Sequence, residues 1–409
     1  MSRAADIGVL AATLGGLAGV ARADDGQVST WVRIDGFSSS RQLDNEVGTG
    51  SLSVGLKATY DLGPSDRLRF MNEVLVAPRG DHGDYDDLRL TDLLWQHSGS
   101  WLDVRIGEQR ITWGKADGIN PTDFFTPRDY TVLQPMETDQ RLSVPAVRAD
   151  VALAEGLTLS LVGQPFFISS QLPAPAGVPL TNRPPGDFSP QAGARLSSAG
   201  ASIDWSVSVF HGYLKLPLVG AELVAGKPAV FYYYPTLDAA GADFAHNFGP
   251  WGFRAEAAWL EPHHDDGMTG IRRQGFLVAG VDRGGEDWNV NLQAIGRYTP
   301  GCPPALPADP LGAMVTTLNE INYGQLRSYQ LGFTSRLAHS WLQQTLQAEL
   351  LTIGYFQPTT LLVRPMVSYA ISDATRLSVG GEYYLGSDAS YFGQFKKNRT
   401  AFLEFQRFF

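Results

Sequence analysis

The sequence predicts an all-β protein, a single transmembrane antiparallel β-barrel of about 18 strands with 16 as the alternative, on three observations. Apolar and polar residues alternate with a period of two along many segments, as in Leu52, Val54, Leu56, Ala58 and Tyr60 against Ser51, Ser53, Gly55, Lys57 and Thr59, which gives each face of a strand one character. Links between such segments are alternately short and long. The chain closes on R-T-A-F-L-E-F-Q-R-F-F, an amphipathic strand ending at Phe409.

Composition agrees with this reading. The 409 residues are 44% hydrophobic, 18% charged and 11% aromatic, with 44 Gly. That is too polar for a bundle of membrane-spanning helices and favours strands and turns over helices. The single cysteine, Cys302, excludes an intrachain disulfide framework, a paired-cysteine zinc site and covalent C-x-x-C-H haem attachment.

The elements follow in order. Residues 1–23 combine Arg3, an apolar small-residue run over 7–20 and the triplet Ala21-Arg22-Ala23, the three parts of a secretory signal peptide. The mature barrel is therefore expected over 24–409. The alternation of 51–60 returns around Val290, Leu331, Leu346 and Val379, in segments of about 10 to 12 residues, the length a tilted strand needs to cross a bilayer. Trp31, Tyr60, Trp101, Trp205, Trp251, Trp259, Trp288 and Trp341 fall near segment ends, where interfacial aromatic girdles belong. Tight turns are expected at 63–66, 98–100, 155–156, 198–200, 248–250, 284–286, 339–340 and 372–374. Longer loops are expected at 38–50, 78–86, 113–144, 165–191, 213–228, 261–272, 299–325, 355–358 and 385–398. Those connections give 18 strands with both termini on one side, short turns on the periplasmic side and long loops outside. The tenth strand, within 229–247, is interrupted by Pro235 and Gly241.

The polar parity is assigned to the lumen. It carries Arg33, Arg67, Arg69, Arg105, Arg148, Arg195, Arg254, Arg297, Arg336, Arg364 and Arg376, with Asp35, Glu73, Asp103, Asp150, Glu256, Glu349, Glu382 and Glu404. The chain has 26 Arg and 6 Lys, and rigid multi-donor guanidinium groups along a wall attract anions. Arg67, Arg69, Arg105, Arg148, Arg254, Arg297 and Arg376, with Glu73 and Glu382, are the expected selectivity residues. The competing reading has these arginines neutralised by carboxylates on neighbouring strands. The net charge of -10 does not decide between them, because loop acids such as Asp81, Asp84, Asp86 and Asp87 contribute much of it.

Loop three, 113–144, is the longest. Gly114, Gly118, Pro121 and Pro127 punctuate it, and Asp117, Asn120, Asp123 and Asp129 can hydrogen-bond their own backbone. It is expected to be ordered and to fold into the lumen, with Trp113, Asp117, Asn120, Asp123, Arg128 and Asp129 forming a constriction.

The final strand, with Phe405 and Phe409 on its apolar parity, resembles the assembly signal of bacterial outer-membrane barrels; Arg407 departs from the pattern. The resemblance implies insertion by the outer-membrane assembly machinery into outer-membrane lipid. Gly107, Gln109, Trp113, Gly114, Asp117, Asn120, Pro121 and Asp123 resemble the G-x-Q, W-G-x-x-D and N-P-x-D signature of a family of poorly characterised outer-membrane barrels, which implies a barrel without fixing a substrate. The chain is distantly similar to alginate-export-type barrels as well, which would imply passage of an anionic polysaccharide.

The expected function is a porin-like channel for diffusion or export of small hydrophilic solutes, anionic ones included. The rivals are a structural sheath around a periplasmic partner such as a multihaem cytochrome, a polysaccharide exporter and, least, an outer-membrane hydrolase. No G-x-S-x-G or comparable nucleophile setting is present, and no catalytic residue, metal or cofactor is expected. His263-His264-Asp265-Asp266 places ligand types side by side, but such neighbours rarely converge on an ion without a third element. No nucleic-acid-binding stripe is present, and a homo-oligomer is compatible with the class.

Overall fold

The computed structural model describes residues 26–40, 48–77, 85–131, 137–172, 180–200, 203–263, 271–302 and 306–409. The leader expected over 1–23 lies outside them, as do Asp81, Asp84, His264, Asp265 and Asp266. The described residues form strands β1 (Gly26–Ser39), β2 (Gly48–Asp61), β3 (Asp66–Ala77), β4 (Tyr85–Ser98), β5 (Leu102–Gln109), β6 (Val144–Ala154), β7 (Leu157–Gln164), β8 (Leu180–Arg183), β9 (Gln191–Ala199), β10 (Ile203–Tyr213) and β11 (Leu218–Val224). They continue with β12 (Lys227–Tyr233), β13 (Thr236–Phe248), β14 (Trp251–His263), β15 (Gln274–Gly284), β16 (Trp288–Tyr298), helix α1 (Pro310–Tyr323), β17 (Tyr329–Trp341), β18 (Leu346–Phe356), β19 (Thr359–Ser372), β20 (Thr375–Gly386) and β21 (Thr400–Phe408).

Eighteen strands make one sheet, and β8, β11 and β12 make a separate small sheet within the long loops. The large sheet is closed. β1 pairs antiparallel with both β2 and β21, and the seam is extended by Phe409, whose N–H donates to the Thr30 carbonyl at 2.8 Å. Closure leaves no edge of unpaired backbone groups, the condition for crossing hydrocarbon.

Register fixes which residues share a face. Asp35 opposes Ser51 and Glu404, Arg105 opposes Arg148, and Asp243 opposes Ser206 and Glu256. All these look inward. The alternate set, including Ile34, Leu161, Val209, Leu292, Val379 and Leu403, is exposed on the outside. The usual burial rule is therefore inverted: Ser53 and Glu256 are 0% and 1% exposed while Val209 and Leu403 are 57% and 53% exposed. An apolar belt around a polar interior is the arrangement of a barrel facing lipid.

Several boundaries differ from expectation. The turn expected at 339–340 lies at 342–345, where Leu342, Gln343 and Gln344 all take positive φ, a shape no glycine or proline announces. The loop expected at 355–358 is a tight link between β18 and β19. The loop expected at 213–228 runs on to Pro235 and contains the β11–β12 hairpin. The tenth barrel strand is β13, which begins after Pro235 and accommodates Gly241.

The interior is also less uniformly polar than the parity rule assumes. Trp113, Phe124 and Phe125 pack with Val144, Val162, Phe210 and Leu237 in one apolar cluster. Val278, Ile295, Leu351, Ile353, Tyr355 and Leu362 form another with Phe392. Loops entering the lumen must bury apolar surface against something, and the wall supplies it where they dock.

Candidate functional site

Loop three leaves the wall after β5 and returns at β6, and the sequence dictates how it crosses. Trp113 and Phe125 meet edge to face at 4.9 Å between ring centroids, and Phe125 meets Phe210 at 5.0 Å. This wedge fills the side of the lumen bounded by β6 to β10. Gly193 on β9 admits it: a Cβ there would lie 2.7 Å from Phe125 and 2.9 Å from Trp113.

Beyond the wedge the loop is pinned to the far wall. Glu256 on β14 accepts from the N–H groups of Lys115 (2.9 Å), Ala116 (2.9 Å) and Thr122 (2.7 Å), and from the Thr122 hydroxyl (2.8 Å). One carboxylate thus satisfies four loop donors, and charged acceptors make the stronger hydrogen bonds. Gly114 makes room for it, with φ of 95° and a hypothetical Cβ only 2.5 Å from the Glu256 oxygens. Gly114→Val is therefore expected to break the same clamp, read as increased current noise in planar bilayers with the barrel still heat-modifiable on gels.

A second pin is charged. Arg336 on β17 donates to Asp117 through Nε at 2.7 Å and Nη2 at 3.1 Å, and also bonds Glu349. In the ring of strands, β17 stands opposite β5 and β6, so the loop reaches across the bore. A third pin joins Asp139 to Arg33 on β1 at 2.9 Å.

Between loop and wall lies a cavity of about 370 Å³, lined by Lys115, Asp117, Gly118, Asn120 and Arg141 from the loop and by Arg254, Arg336, Glu349 and Arg364 from β14, β17, β18 and β19. Five basic and two acidic side chains face it. Lys115 is held loosely, its Nζ 3.6 Å from Asp243 and 3.7 Å from Asp204. Arg254 Nε lies 3.1 Å from Asp282.

The expected selectivity residues separate by height and by partner. Arg67 and Arg69, near the periplasmic turn, pair with Asp61 at 2.5 Å and Asp92 at 2.9 Å. Arg148 pairs with Asp150 at 2.9 Å, and Arg364 with Glu382. Arg105 makes no ion pair among the described residues and faces Arg148 directly. Arg376 opposes Gln406, and Glu73 opposes Gly55. Arg297 does not meet the bore: it is 9% exposed, lies 4.4 Å from the Phe276 ring centre and 5.0 Å from that of Tyr355, and donates to the Tyr355 hydroxyl at 2.9 Å. Much of the arginine set is thus neutralised by nearby carboxylates, and the loosely held cation at the loop cavity is Lys115.

The remaining loop residues serve the loop itself. The Asn120 carbonyl accepts the Asp123 N–H at 3.3 Å. Asp129 accepts from the Thr131 N–H at 2.8 Å, and the Arg128 N–H donates to the Ser170 hydroxyl at 3.0 Å. Phe405 and Phe409 lie on the outer face of the closing strand, with Arg407 over the Phe409 ring at 5.1 Å. Lys115 and Arg141 were not distinguishable in the sequence, since nothing marks a single loop cation as facing a cavity built by distant strands.

Behind the wedge two buried ionisable groups are contributed by different loops. Burial pushes the Asp123 carboxyl up to about 6, against the pull of a Thr126 hydrogen bond and of Arg141. Burial lowers Lys215 to about 7, with Asp123 acting in the opposite sense; its ammonium donates to Gln191 Oε1 at 2.7 Å. The raised acid stabilises the packed loops fully in acid, and that share is lost as pH rises through about 6. The lowered base stabilises them fully in alkali, and that share is lost as pH falls through about 7. Lys215→Met should therefore abolish the limb on the alkaline side of neutrality. In hydrogen exchange corrected for intrinsic rates, opening of 214–218 in the wild type should rise by up to about tenfold per pH unit as pH falls from the ordinary lysine range towards about 7, and lose that rise in the variant.

The closed sheet, its apolar exterior and its inwardly folded loop define a bacterial outer-membrane β-barrel. The chain belongs to the family described as "Protein of unknown function (DUF1302)", which matches residues 10–361. Its fold is similar to three solved structures at low sequence identity. OccAB2 of Acinetobacter baumannii is 10% identical with a TM-score of 0.56, the match covering 94% of this chain and 98% of that one. OccK2 (OpdF) of Pseudomonas aeruginosa is 10% identical with a TM-score of 0.56 and the same coverage. OccK5 (OpdH) of Pseudomonas aeruginosa is 7% identical with a TM-score of 0.54, again covering 94% and 98%. No curated protein sequence matches the chain.

Proposed function

We propose that the protein is a diffusion channel for small hydrophilic solutes, with a preference for anions set where loop three meets the far wall. The observation that carries this reading is the pinning of the loop at Glu256 and Arg336, which leaves a narrow basic compartment where the bore would otherwise be wide. A ring of 18 strands encloses an aqueous channel unless loops fill it, and fixed charge at the narrowest level weighs most on passing ions.

The same observation disfavours the rivals. A sheath needs a bore free to receive a folded partner, and a polysaccharide exporter needs a continuous wide path; the crossing loop obstructs both. The signature residues Trp113, Gly114 and Asp117 are explained in this reading as wedge, clearance and pin. Liposome swelling with a solute series tests it: small sugars and amino acids should enter, with anionic ones faster than cationic ones of equal size, whereas exclusion of every solute would refute it.

A further inference from the structure

The polar groups of the cavity between loop three and the wall differ in how much of their bonding capacity is already spent. Arg336 commits three nitrogens, two to Asp117 and one to Glu349, and Arg364 bonds Glu382. The Lys115 ammonium, by contrast, stands 3.6 Å from Asp243 and 3.7 Å from Asp204, too far for a hydrogen bond to either. Arg254 lies beside it, with Nη1 3.5 Å from the Lys115 carbonyl. Its guanidinium is half exposed and touches a carboxylate, Asp282, through Nε. Asn120 lines the same cavity. Its backbone carbonyl accepts the Asp123 N–H, while its carboxamide makes no hydrogen bond among the described residues.

The two kinds of group stand apart. Lys115 and Arg254 meet at β14, whereas Arg336 and Glu349 belong to β17 and β18, three and four strands further round the ring, about 14 to 19 Å away at the backbone. Leu351 and Met366 add an apolar face to the lining.

Taking the channel reading above as given, we propose that this cavity is a saturable site for a small polyhydroxylated organic anion, its anionic head at Lys115 and Arg254 and its hydroxyls at Asn120, Asp117 and Glu349. An ammonium without a hydrogen-bonded carboxylate, next to a half-exposed guanidinium, suits an oxyanion head, whether carboxylate or phosphate. At the other end the two carboxylates keep lone pairs beyond those that Arg336 occupies, and these suit hydroxyl donors. Arg336 and Arg364 oppose an ammonium there, and the carboxylates oppose a second anion. A carboxamide both donates and accepts, as a hydroxyl does. The carbon chain of the solute lies on the apolar face. A volume of about 370 Å³ is at the small end of ligand sites, which fits one sugar-sized solute and not a polymer.

The test is block of chloride current through the full-length protein in planar bilayers, titrated with gluconate, glucose 6-phosphate, hexanoate, glucose and glucosamine. Gluconate and hexanoate share a six-carbon chain and a carboxylate and differ in hydroxyls. Block by gluconate or glucose 6-phosphate should saturate, with half-block at a concentration about tenfold or more below that of hexanoate, glucose or glucosamine, the scale of two or three hydrogen bonds. The ranking of the first two tells a phosphate head from a carboxylate head. Asn120→Ala should raise the half-block concentration of gluconate about threefold to tenfold and that of hexanoate far less. Lys115→Gln should bring gluconate close to glucose. Heat-modifiable mobility on gels checks that both variants are folded. A conducting, anion-preferring channel that gluconate and glucose 6-phosphate block no better than hexanoate does would overturn the site and leave the channel reading standing. Absence of conductance or of anion preference in the wild type would overturn both.

Discussion

Replacing Glu256 by alanine is expected to raise single-channel conductance on the order of twofold or more, with added current noise, because it frees the loop that narrows the bore. The carboxylate is buried and accepts from three loop N–H groups and one hydroxyl. Without it those donors must find other partners, and each buried donor left unsatisfied costs about 1–3 kcal/mol. Water in the bore offers such partners only if the 115–122 segment moves off the wall. The Trp113–Phe125 wedge is untouched by the substitution, so the loop root should stay in place. Glu256→Gln keeps one acceptor oxygen and should fall between the two. Planar-bilayer recordings check the series; identical conductance in wild type and Glu256→Ala would mean that the clamp does not set the bore.

The second large effect is on selectivity. Lys115→Gln/Arg254→Gln should lower the anion-to-cation permeability ratio by about threefold or more, since both line the compartment between loop three and the wall, where fixed charge acts on ions at close range. The five basic and two acidic groups of that compartment become three and two. Arg67→Gln provides the contrast. Its guanidinium is half exposed and paired with Asp61 near the periplasmic rim, and exposed pairs of this kind contribute little; its reversal potential should barely move. Arg105, which has no such pair among the described residues, should give an intermediate shift. Reversal potentials in a salt gradient separate these cases, and an Arg67→Gln effect as large as that of the double variant would move the selectivity level from the loop to the rim.

Much of the barrel was legible because one rule repeats along the chain. A strand between lipid and water must alternate, and β16, β17, β20 and β21 largely do so, which is why their facing followed from the sequence. Legibility fell wherever a loop docks on the wall. In β18 the inward Leu351, Ile353 and Tyr355 make both faces apolar, so the period no longer says which side is wet. Helix α1 went unseen inside the loop expected at 299–325, although Asp309 caps it, with its side chain accepting from the Gly312 N–H, and Gly324 ends it with φ of 64°; the Asp-Pro start and Gly stop were the available signal. The site was legible as a set of residue types but not as a constellation. Glu256 and Arg336 were readable as inward side chains, yet their meeting with Thr122 and Asp117 depends on closure of the ring, which brings together residues 134 and 219 positions apart.

Single-channel recording of the purified wild-type protein with polyethylene glycols of increasing size bears most directly on a water-filled bore narrowed by a pinned loop. Discrete conductance steps should appear, reduced by small polymers that enter and unaffected by larger ones. Absence of steps, or entry of polymers as large as an unobstructed 18-strand ring would admit, would contradict it.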